Sequence, residues 1–533
     1  VSEEVISSSL DAMSQFLDKN WEDQSPLYTF WRQQKKDNWW SCYPDAMVNL
    51  FNNQPNYQVI SDVLKKLGLD KLATLVDTFN NEWNIFNAAY RIPGDLDDTF
   101  TALAVTSYLH KVDNTKFNQQ WVEKNTNLKG LFEKVKDFAY RPFSTTEINR
   151  NRPLDPRTYF WLHDFVIQVK KEEPKRTLIL PTTWLWRWED EIKSKDYVSM
   201  PFHTNNIDLN VAGNFFYGIA STLSYNNDLS QLNFIAKDQE ITQMIFDTVD
   251  LFIFVIKNNI PNKRPDISLL YYPSVWDFYW LISRTSFMIK SDLKEKSILG
   301  EYAEHRELEV LIKNIIKANE KIQIVLEKDA MEFLNSRIKI TKEGDKAYVT
   351  EFLGNFKGKE RNEDAMFATG LTLNSLLNIW TLKKEGKVYW ESKATTETKD
   401  LINKMTKYIL NKVNQWFQPS MEGAFFSGSL HGAYSSWPYF YPANFFKYTN
   451  GTEFEKDNFD LLSDVNNSIG VAGYIEEEEF NLQLKRKHYN QTIPFQADDL
   501  NGSAFPYWSS PALTESVLIL GLSKMHQVLE NEK

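Results

Sequence analysis

The hydrophobic pattern along the chain alternates between two kinds of predicted helix. Helices of the first kind are apolar on most faces and follow loops with Pro, Ser, Asn or Asp; they cover Asp95–His110, Arg152–Val169, Asn206–Thr222, Pro273–Met288, Asn362–Trp380 and Ser510–Met525. Helices of the second kind have one apolar stripe and a charged face; they cover Glu240–Ile256, Glu301–Leu326 and Lys399–Phe417. A helix that is apolar all round must be buried on every side, and an amphipathic helix can cover it from outside.

An inner and an outer ring of helices would satisfy both demands. We therefore predict an all-α fold, an α/α toroid of helical hairpins whose inner helices run parallel, with their N-termini at one mouth. Two patches with strand-like pattern, Ile338–Phe352 and Thr381–Trp390, are predicted to form small β-hairpin decorations. No Gly/Ser-rich or Pro-rich linker divides the chain, so residues 1–533 are predicted to form a single toroid domain.

The N-terminal segment before the first apolar helix has its own pattern. Residues 1–19 predict an amphipathic helix, and Tyr43–Phe51 predicts a short apolar helix behind Pro44 and Asp45. The Trp-rich stretch between these two helices is predicted to be a loop.

Three carboxylates, Asp95, Asp97 and Asp98, stand at the start of the helix Asp95–His110. Acidic residues at a helix start are favoured by up to about 1 kcal/mol, so capping by Asp95 is one interpretation. Three crowded carboxylates, however, exceed what capping needs, and in a dry environment their repulsion keeps at least one of them protonated. A neutral carboxylic acid whose neighbours stabilise its conjugate base is a general acid, which is the second interpretation.

The segment DLDDTFTAL, Asp95–Leu103, resembles the DxDDTA motif of class II terpenoid cyclases, such as squalene–hopene cyclases and bacterial class II diterpene cyclases. These enzymes have the α/α toroid fold, and the middle Asp of their motif protonates an alkene or epoxide to start cyclisation. The resemblance implies that Asp97 is the proton donor, that Asp95 and Asp98 are its hydrogen-bonding partners, and that no metal or other cofactor is needed. Phe100 replaces the usual Ala of the motif, and the motif lies earlier in the chain than in the family.

The family also has a partner histidine, which no motif places in this chain. Of the seven histidines, His203 has the best position by topology, in the loop before the helix Asn206–Thr222. A solvated loop histidine is the alternative interpretation.

Acidic and amide side chains also stand at the starts of other predicted inner helices. Asp208 and Asn210, with Asn214 one turn further, open the helix Asn206–Thr222, and Glu363 is near the start of Asn362–Trp380. Capping explains each of them singly. Together with the Asp95 cluster, oxygen atoms at one mouth also suit binding of substrate hydroxyl groups or of a hard cation. We predict Asp208, Asn210 and Glu363 as substrate-binding residues.

Aromatic residues are dense near the predicted inner helices. We predict five of them as substrate-binding: Trp276, Tyr279, Trp280, Trp437 and Trp508. Packing in the core of a helical barrel is the structural interpretation. The functional interpretations are ring faces that stabilise carbocations or platforms for sugar rings, and aromatic platforms with two carboxylates also suit a glycosidase.

Composition excludes several classes of function. The net charge is -11 without a dense basic block, which argues against nucleic acid, and the single cysteine, Cys42, rules out a disulfide framework or a Cys-based zinc site. The longest apolar run, Leu251–Ile256, is far shorter than the roughly 20 residues of a membrane span. The chain begins at Val1 rather than Met, and its sequons at Asn450, Asn466, Asn490 and Asn501 favour secretion, with the cytoplasm as the alternative.

We therefore predict a class II terpenoid-cyclase-like enzyme that carries out acid-initiated cyclisation of an isoprenoid or another apolar small molecule. Two alternatives remain open from the sequence. One is a secreted carbohydrate-active or carbohydrate-binding toroid, and the other is a non-catalytic toroid that serves as an interaction protein.

Overall fold

The computed structural model of the chain describes residues 3–21, 23–36, 39–42, 57–74, 76–77, 92–111, 116–144, 152, 154–186, 202, 204–226, 228–272, 274–350, 365–413, 424–427, 445–448, 452–455, 458, 468–471, 477–485 and 507–532. The predicted helix Tyr43–Phe51 lies outside these residues.

The protein is mostly helical, which confirms the all-α prediction. The helices are α1 (Glu3–Ser14), α2 (Tyr57–Lys66), α3 (Leu96–Leu109), α4 (Lys116–Lys124), α5 (Leu128–Phe138), α6 (Pro156–Glu172), α7 (Leu209–Tyr225), α8 (Leu229–Lys237), α9 (Gln239–Lys257), α10 (Ile260–Lys263), α11 (Pro265–Ser268), α12 (Val275–Met288), α13 (Lys294–Ile298), α14 (Arg306–Val325), α15 (Met331–Arg337), α16 (Ala365–Trp380), α17 (Thr396–Lys412), α18 (Glu477–Gln483) and α19 (Pro511–Asn531). Two π-helical segments, Ile289–Leu293 and Leu326–Ala330, extend α12 and α14. None of the described helices is both long and apolar enough to cross a membrane.

The described strands are short and antiparallel. They are β1 (Gln33–Lys36) with β2 (Trp39–Cys42), β3 (Lys339–Ile340) with β4 (Ala347–Tyr348), β5 (Thr381–Lys384) with β6 (Lys387–Trp390), β7 (Ala424–Ser427) with β11 (Tyr507–Ser509), and β8 (Phe445–Tyr448) between β9 (Glu453–Phe454) and β10 (Ser468–Val471). The β5–β6 pair confirms a predicted hairpin: Glu385 and Gly386 both have positive φ, as a two-residue hairpin turn requires. The β1–β2 pair corrects the predicted Trp-rich loop, because aromatic residues such as Trp39 and Trp40 also favour strands.

Five helices, α3, α7, α12, α16 and α19, pack side by side in this order and form what we call the helix row. Asp97 of α3 is hydrogen-bonded to Asn214 of α7 near the starts of the two helices. Near their ends, Ser107 of α3 is hydrogen-bonded to Thr222 of α7. These two helices therefore run parallel. The same order of contacts relates α7 to α12, since Gly213 faces Leu281 and Ser221 donates to Met288.

The parallel arrangement continues through the rest of the row. Ser283 of α12 accepts a hydrogen bond from Asn378 of α16, and Ser291, further along, accepts one from the backbone of Lys383 after α16. Between α16 and α19, Gly370 packs against Leu518 and Asn378 accepts from Lys524. All five helices thus run in one direction, as predicted for inner helices.

The amphipathic helices lie against this row and against one another. In α14, Leu308, Ile312 and Ile315 are fully buried while its charged face is exposed, and α14 packs on α8 and α9. Helix α17 packs on α16. Helix α6 begins at Pro156 rather than Arg152, because Asp155 caps it and Pro occupies its first position, and it packs most closely on α11.

Helices α3 and α7 approach each other closely where Gly218 faces Phe100. A Cβ atom at Gly218 would lie 2.6 Å from the carbonyl oxygen of Phe100 and 2.7 Å from its ring. Only glycine allows the two helices to come this close. The contact brings the first turn of α3 within side-chain reach of α7.

Candidate functional site

The start of α3 is fixed by both side-chain and backbone hydrogen bonds. Asp95 is the N-cap, and its carboxyl group accepts from the backbone N–H of Asp98 at 2.8 Å. The N–H of Asp95 donates to the carbonyl of Tyr28 at 2.9 Å, and the N–H of Leu96 donates to Thr183 at 2.8 Å. Two distant chain segments therefore hold the turn that carries Asp97.

The carboxyl group of Asp97 is buried, with 8% of the residue exposed, and both of its oxygens accept hydrogen bonds. Oδ1 accepts from Nδ2 of Asn214 on α7, and Oδ2 accepts from the hydroxyl of Tyr272, just before α12. One turn before Asn214, Nδ2 of Asn210 donates to the carbonyl of Tyr272 at 2.7 Å. The start of α7 thus binds the Asp97 side chain through Asn214. Through Asn210 it also binds the backbone of Tyr272, the second hydrogen-bond donor to Asp97.

Arg284 of α12 completes this network behind Asn214. Its Nη2 donates to Oδ1 of Asn214, so the amide nitrogen of Asn214 is turned toward Asp97. The guanidinium lies 3.8 Å from the ring centre of Tyr217 and 4.7 Å from that of Trp280. Its Nε is buried and has no hydrogen-bond partner among the described residues. Two aromatic rings and one amide therefore hold the positive charge of Arg284 near Asp97, with only the side chain of Asn214 between the two groups.

Burial and neighbouring charge set the acidity of the three aspartates. Burial raises the pKa of Asp97, while the hydrogen bonds from Tyr272 and Asn214 and the charge of Arg284 lower it. Burial and the charge of Asp97 raise the pKa of Asp98 to about 7. Burial, with the charges of Asp98 and Asp97, raises the pKa of Asp95 well above its ordinary range. Of the three, Asp97 is the one whose conjugate base two side-chain donors and a cation stabilise.

Tyr272 stays a hydrogen-bond donor under these conditions. Burial and the charge of Asp97 raise the pKa of the Tyr272 hydroxyl well above its ordinary value. The phenol therefore keeps its proton and can stabilise a negative charge on Asp97.

Partly accessible side chains lie along one side of the helix row, beginning near Asp95, Asp97 and Asp98. This site face consists of Asp98, Tyr108, Tyr217, Trp280 and Arg284; the rest of α7 is buried. The hydroxyls of Tyr108 and Tyr217 are 3.1 Å apart, and Tyr108 remains 39% exposed. The face is polar at the start of α3 and aromatic toward its end, so it can contact a substrate with an apolar body.

Asp208 has a structural role in this geometry. Its fully buried carboxyl group caps α7, accepting from the N–H of Asn210 at 2.7 Å and of Val211 at 3.0 Å, and it also accepts from the N–H groups of Leu270 and Tyr271. Burial raises the pKa of Asp208 to about 6, against these four backbone donors. Asp208 thereby fixes the segment that carries Tyr272.

The predicted aromatic residues of α12 divide between its two sides. Trp280 lies on the site face under Arg284, whereas Trp276 and Tyr279 pack on Phe333 of α15, with ring centres 5.7 Å and 5.5 Å away. Helical spacing alone does not predict this division, since Trp276 and Trp280 are four residues apart; the contact of Trp276 with Phe333 decides it. The structure therefore brings Trp280, but not Trp276 or Tyr279, to Asp97 and its partners.

Several predicted positions lie outside the described residues. They are His203, Glu363, Trp437 and the sequons at Asn450, Asn466, Asn490 and Asn501. Trp508 lies in β11, opposite Phe426 of β7.

Sequence reasoning did not select Tyr272, Arg284, Tyr217 or Tyr108 as site residues. The available signal was the single charge of Arg284 within the otherwise uncharged second half of α12, two turns after Asp277. Asp277 itself is buried, and its Oδ2 has no hydrogen-bond partner in the described part of the chain. Burial raises the pKa of Asp277 well above its ordinary value, with the charge of Arg284 opposing.

Comparison of the chain with known proteins found no matching protein family, no matching curated protein and no matching solved structure. Within the described ranges, no group of three or more His, Cys, Asp or Glu residues is arranged to hold a metal ion. Function is therefore inferred from the residues of the site themselves.

Proposed function

We propose that the chain is an acid-initiated cyclase, similar to class II terpenoid cyclases, in which Asp97 protonates an apolar isoprenoid substrate. The observation that carries the proposal is the environment of Asp97. In the sequence, Asp97 lies between two further aspartates, Asp95 and Asp98. Its buried carboxyl group receives hydrogen bonds from Asn214 and Tyr272. A group that only capped the helix would accept from the backbone, and Asp95 already does so.

The proposed first step is proton transfer from Asp97 to a carbon of a substrate double bond, or to the oxygen of an epoxide. The O–H bond of the acid breaks as the new bond forms, and the carboxylate keeps the electron pair. A neighbouring double bond then attacks the carbocation and closes a ring, and loss of a proton from the last cation ends the reaction. The donors of Asn214 and Tyr272 are in place before the charge on Asp97 develops.

Arg284 and Asp98 support this step in different ways. Arg284 orients Asn214 and adds a positive charge near the developing carboxylate, which makes Asp97 a stronger acid. Asp98, with a pKa of about 7, is the most accessible of the three acids and carries a proton near neutral pH. We assign Asp98 the return of a proton from solvent to Asp97 after each turnover.

The aromatic side chains of the site face fit a cationic intermediate. The rings of Tyr217 and Trp280 hold the Arg284 guanidinium, and both side chains stay partly accessible, so their remaining ring surface is available to a cationic intermediate. The face of an aromatic ring attracts a cation more strongly when water is excluded.

The helix row also fits the inner ring of the proposed toroid. Its five parallel helices place their N-termini on one side, where Asp97 and Tyr272 meet, and amphipathic helices cover the row. We propose that the row closes into the inner ring of one domain that comprises residues 1–533.

The test is product formation from prenyl diphosphates, squalene and oxidosqualene by the wild type and by Asp97→Asn. The substitution keeps the shape of the side chain and removes the acidic proton, so the rate should fall at least about 100-fold. Asp11→Asn, the same change at an exposed position of α1, should leave the rate unchanged. A folded wild type that converts none of these substrates, or an Asp97→Asn protein that forms the same cyclic product at the wild-type rate, would rule out the proposed function.

A further inference from the structure

Three tyrosines form a cluster at the far end of the site face, and the proposed first step does not use their hydroxyl groups. The hydroxyls of Tyr108 and Tyr217 are 3.1 Å apart, and the ring centres of Tyr108 and Tyr225 are 4.5 Å apart. The hydroxyl of Tyr225 is within hydrogen-bonding reach of both Tyr108 and Asp292. Tyr225 is buried, whereas Tyr108 is 39% exposed, so a bound substrate can contact Tyr108.

The tyrosine cluster lies at a defined distance from the acid. Tyr108 follows Asp97 by eleven residues in α3, and Tyr225 follows Asn214 by eleven residues in α7. Eleven residues make about three helical turns, so the members of each pair lie on the same side of their helix, about 16 Å apart along its axis. Because α3 and α7 are parallel, the acid and the phenols stand at opposite ends of one surface.

Asp292 connects the tyrosine cluster to solvent. It lies in the π-helical segment Ile289–Leu293, which packs on α7, and such segments are frequent at functional sites. Nζ of Lys111 is 3.9 Å from a carboxylate oxygen of Asp292 and 4.7 Å from the ring centre of Tyr225, so the three groups are neighbours. Asp292 also pairs with Lys383 at 2.8 Å, and 12% of its side chain remains exposed. The carboxylate of Asp292 therefore links the buried Tyr225 with the surface.

The number of donors sets the direction of the hydrogen bonds in this cluster. An ionised carboxylate only accepts, so the Tyr225 hydroxyl donates its single proton to Asp292. Tyr225 then accepts from Tyr108, and Tyr108 accepts from Tyr217. A hydroxyl oxygen has two lone pairs, so one lone pair of Tyr108 remains available for a further proton.

The phenols keep their protons in the resting protein. Burial and the neighbouring phenols raise the pKa of Tyr108, and burial with the charge of Asp292 raises the pKa of Tyr225. A neutral hydroxyl can still accept one proton while it donates its own. A chain of neutral phenols can therefore pass a proton on without ionising.

We propose that Tyr108, Tyr225 and Asp292 form a proton relay that takes up the proton lost by the last carbocation and delivers it to solvent. The relay rests on the proposed function. A C–H bond beside the cationic carbon breaks, its electron pair forms the new double bond, and the proton goes to the oxygen of Tyr108. The proton of Tyr108 moves to Tyr225, and that of Tyr225 moves to the carboxylate of Asp292. Both phenols end neutral, and Asp292 releases the added proton to solvent before the next turnover.

The relay predicts the class of product. Loss of a proton to Tyr108 gives a cyclic alkene, whereas capture of the cation by water would give an alcohol. The substrate gains a proton at Asp97 and loses one near Tyr108, about 16 Å away along α3, so its chain must be long enough to reach both ends of the site face.

The test is the product mixture of Tyr108→Phe, formed from whichever prenyl diphosphate, squalene or oxidosqualene the wild type converts. The substitution removes the hydroxyl, keeps the ring and leaves Asp97 in place. Substrate should therefore still be consumed, but the ratio of the wild-type alkene to alcohols and other alkenes should fall roughly tenfold or more. Tyr225→Phe interrupts the relay behind Tyr108 and should shift the ratio in the same direction. Tyr389→Phe, at an exposed position of β6, is the matched control and should leave the ratio unchanged.

The product ratio separates a relay from a structural role, because a loss of stability lowers the amount of active enzyme without changing the ratio. An unchanged ratio in Tyr108→Phe, or in Tyr225→Phe if Tyr108→Phe does not fold, would overturn the relay. A wild type whose cyclic product is only an alcohol would overturn it as well. Failure of the two proposals is distinguishable. Cyclisation that needs Asp97 but gives the same products without the Tyr108 hydroxyl would remove only the relay, whereas a wild type that forms no cyclic product would remove the acid chemistry too.

Discussion

The starts of α3 and α7 both carry buried aspartates, and they are bonded in different ways. Asp208 accepts hydrogen bonds from four backbone N–H groups, two of its own helix and two of the segment before α12. Asp97 accepts from two side chains on other elements and, among the described residues, from no backbone group. Backbone donors are fixed by the fold, so Asp208 builds local structure, whereas the environment of Asp97 depends on which side chains the chain places there.

In both helices, one aspartate caps the helix and other side chains make the contacts between helices. In α7, Asp208 caps the helix, and the amides of Asn210 and Asn214 remain free to reach Tyr272 and Asp97. In α3, Asp95 provides the cap, which leaves Asp97 without a structural task. A buried carboxyl group that the local fold does not require costs stability, and such groups concentrate at functional sites.

The largest expected difference in unfolding free energy is between the variants Asp208→Asn and Asp97→Asn. An amide at position 208 would place an N–H group against the donors of Leu270 and Tyr271, and we expect a loss of about 2–4 kcal/mol of unfolding free energy. At position 97 the Tyr272 hydroxyl can rotate and accept from the new amide, so the loss should stay within about 1 kcal/mol. Urea unfolding of both variants measures the two values.

Equal losses for the two variants would contradict the distinction between a structural and a functional aspartate. A large loss at Asp97 with normal stability at Asp208 would reverse it. The rate of product formation by Asp208→Asn, measured where the protein is folded, separates its indirect effect on Tyr272 from instability.

Arg284→Gln tests whether the side-chain partners of Asp97 tune its acidity. Loss of the guanidinium removes a charge that lowers the pKa of Asp97, so this pKa should rise. We expect the rate of cyclisation to fall about tenfold to a hundredfold, since the conjugate base is less stable. The pH at which activity declines should move upward, because Asp97 keeps its proton to higher pH.

The pH profile of the rate measures both effects of this substitution. Arg306→Gln, at the exposed start of α14, is the matched control and should change neither. A lower rate with an unchanged pH profile would indicate that Arg284 acts only on packing.

Local signals explain which parts of this site the sequence could predict. Capping preferences identified Asp95 as the cap, and helical spacing placed Asn214 one turn beyond Asn210. Tyr272 contacts Asp97, and Arg284 contacts Asn214, only after α7 packs against α3 and α12 packs against α7, across 175 and 70 positions of sequence. No periodic pattern encodes such distant contacts. For the same reason, the pattern of α12 could not show that Trp276 faces Phe333 rather than Asp97.

Gly218→Ala tests whether the close approach of α3 and α7 holds Asp97 against Asn214. The added methyl group would lie 2.6 Å from the Phe100 carbonyl, so we expect a loss of about 1–3 kcal/mol in unfolding free energy, with lower activity. Gly213→Ala is the matched control on the same helix, where the nearest atom, Cβ of Leu281, would be 3.2 Å away. Its better helix propensity should offset much of the crowding, so its stability should change by less than about 1 kcal/mol. Thermal unfolding of both variants measures the two changes. Equal losses of unfolding free energy would show that the close approach of α3 and α7 has no special role.

The smallest expected effect is a change in how stability depends on pH when Asp98 is replaced by Asn. The folded state raises the pKa of Asp98 to about 7, so between the ordinary carboxyl pKa and this value the folded protein binds more protons than the unfolded chain. The contribution of Asp98 to stability therefore decreases as the pH rises through that window. Asp98→Asn cannot titrate, so its unfolding free energy should fall less steeply from about pH 4 to pH 7. Urea unfolding at several pH values measures both slopes. Identical slopes would mean that Asp98 is not held protonated, and the proton return to Asp97 would then need another donor.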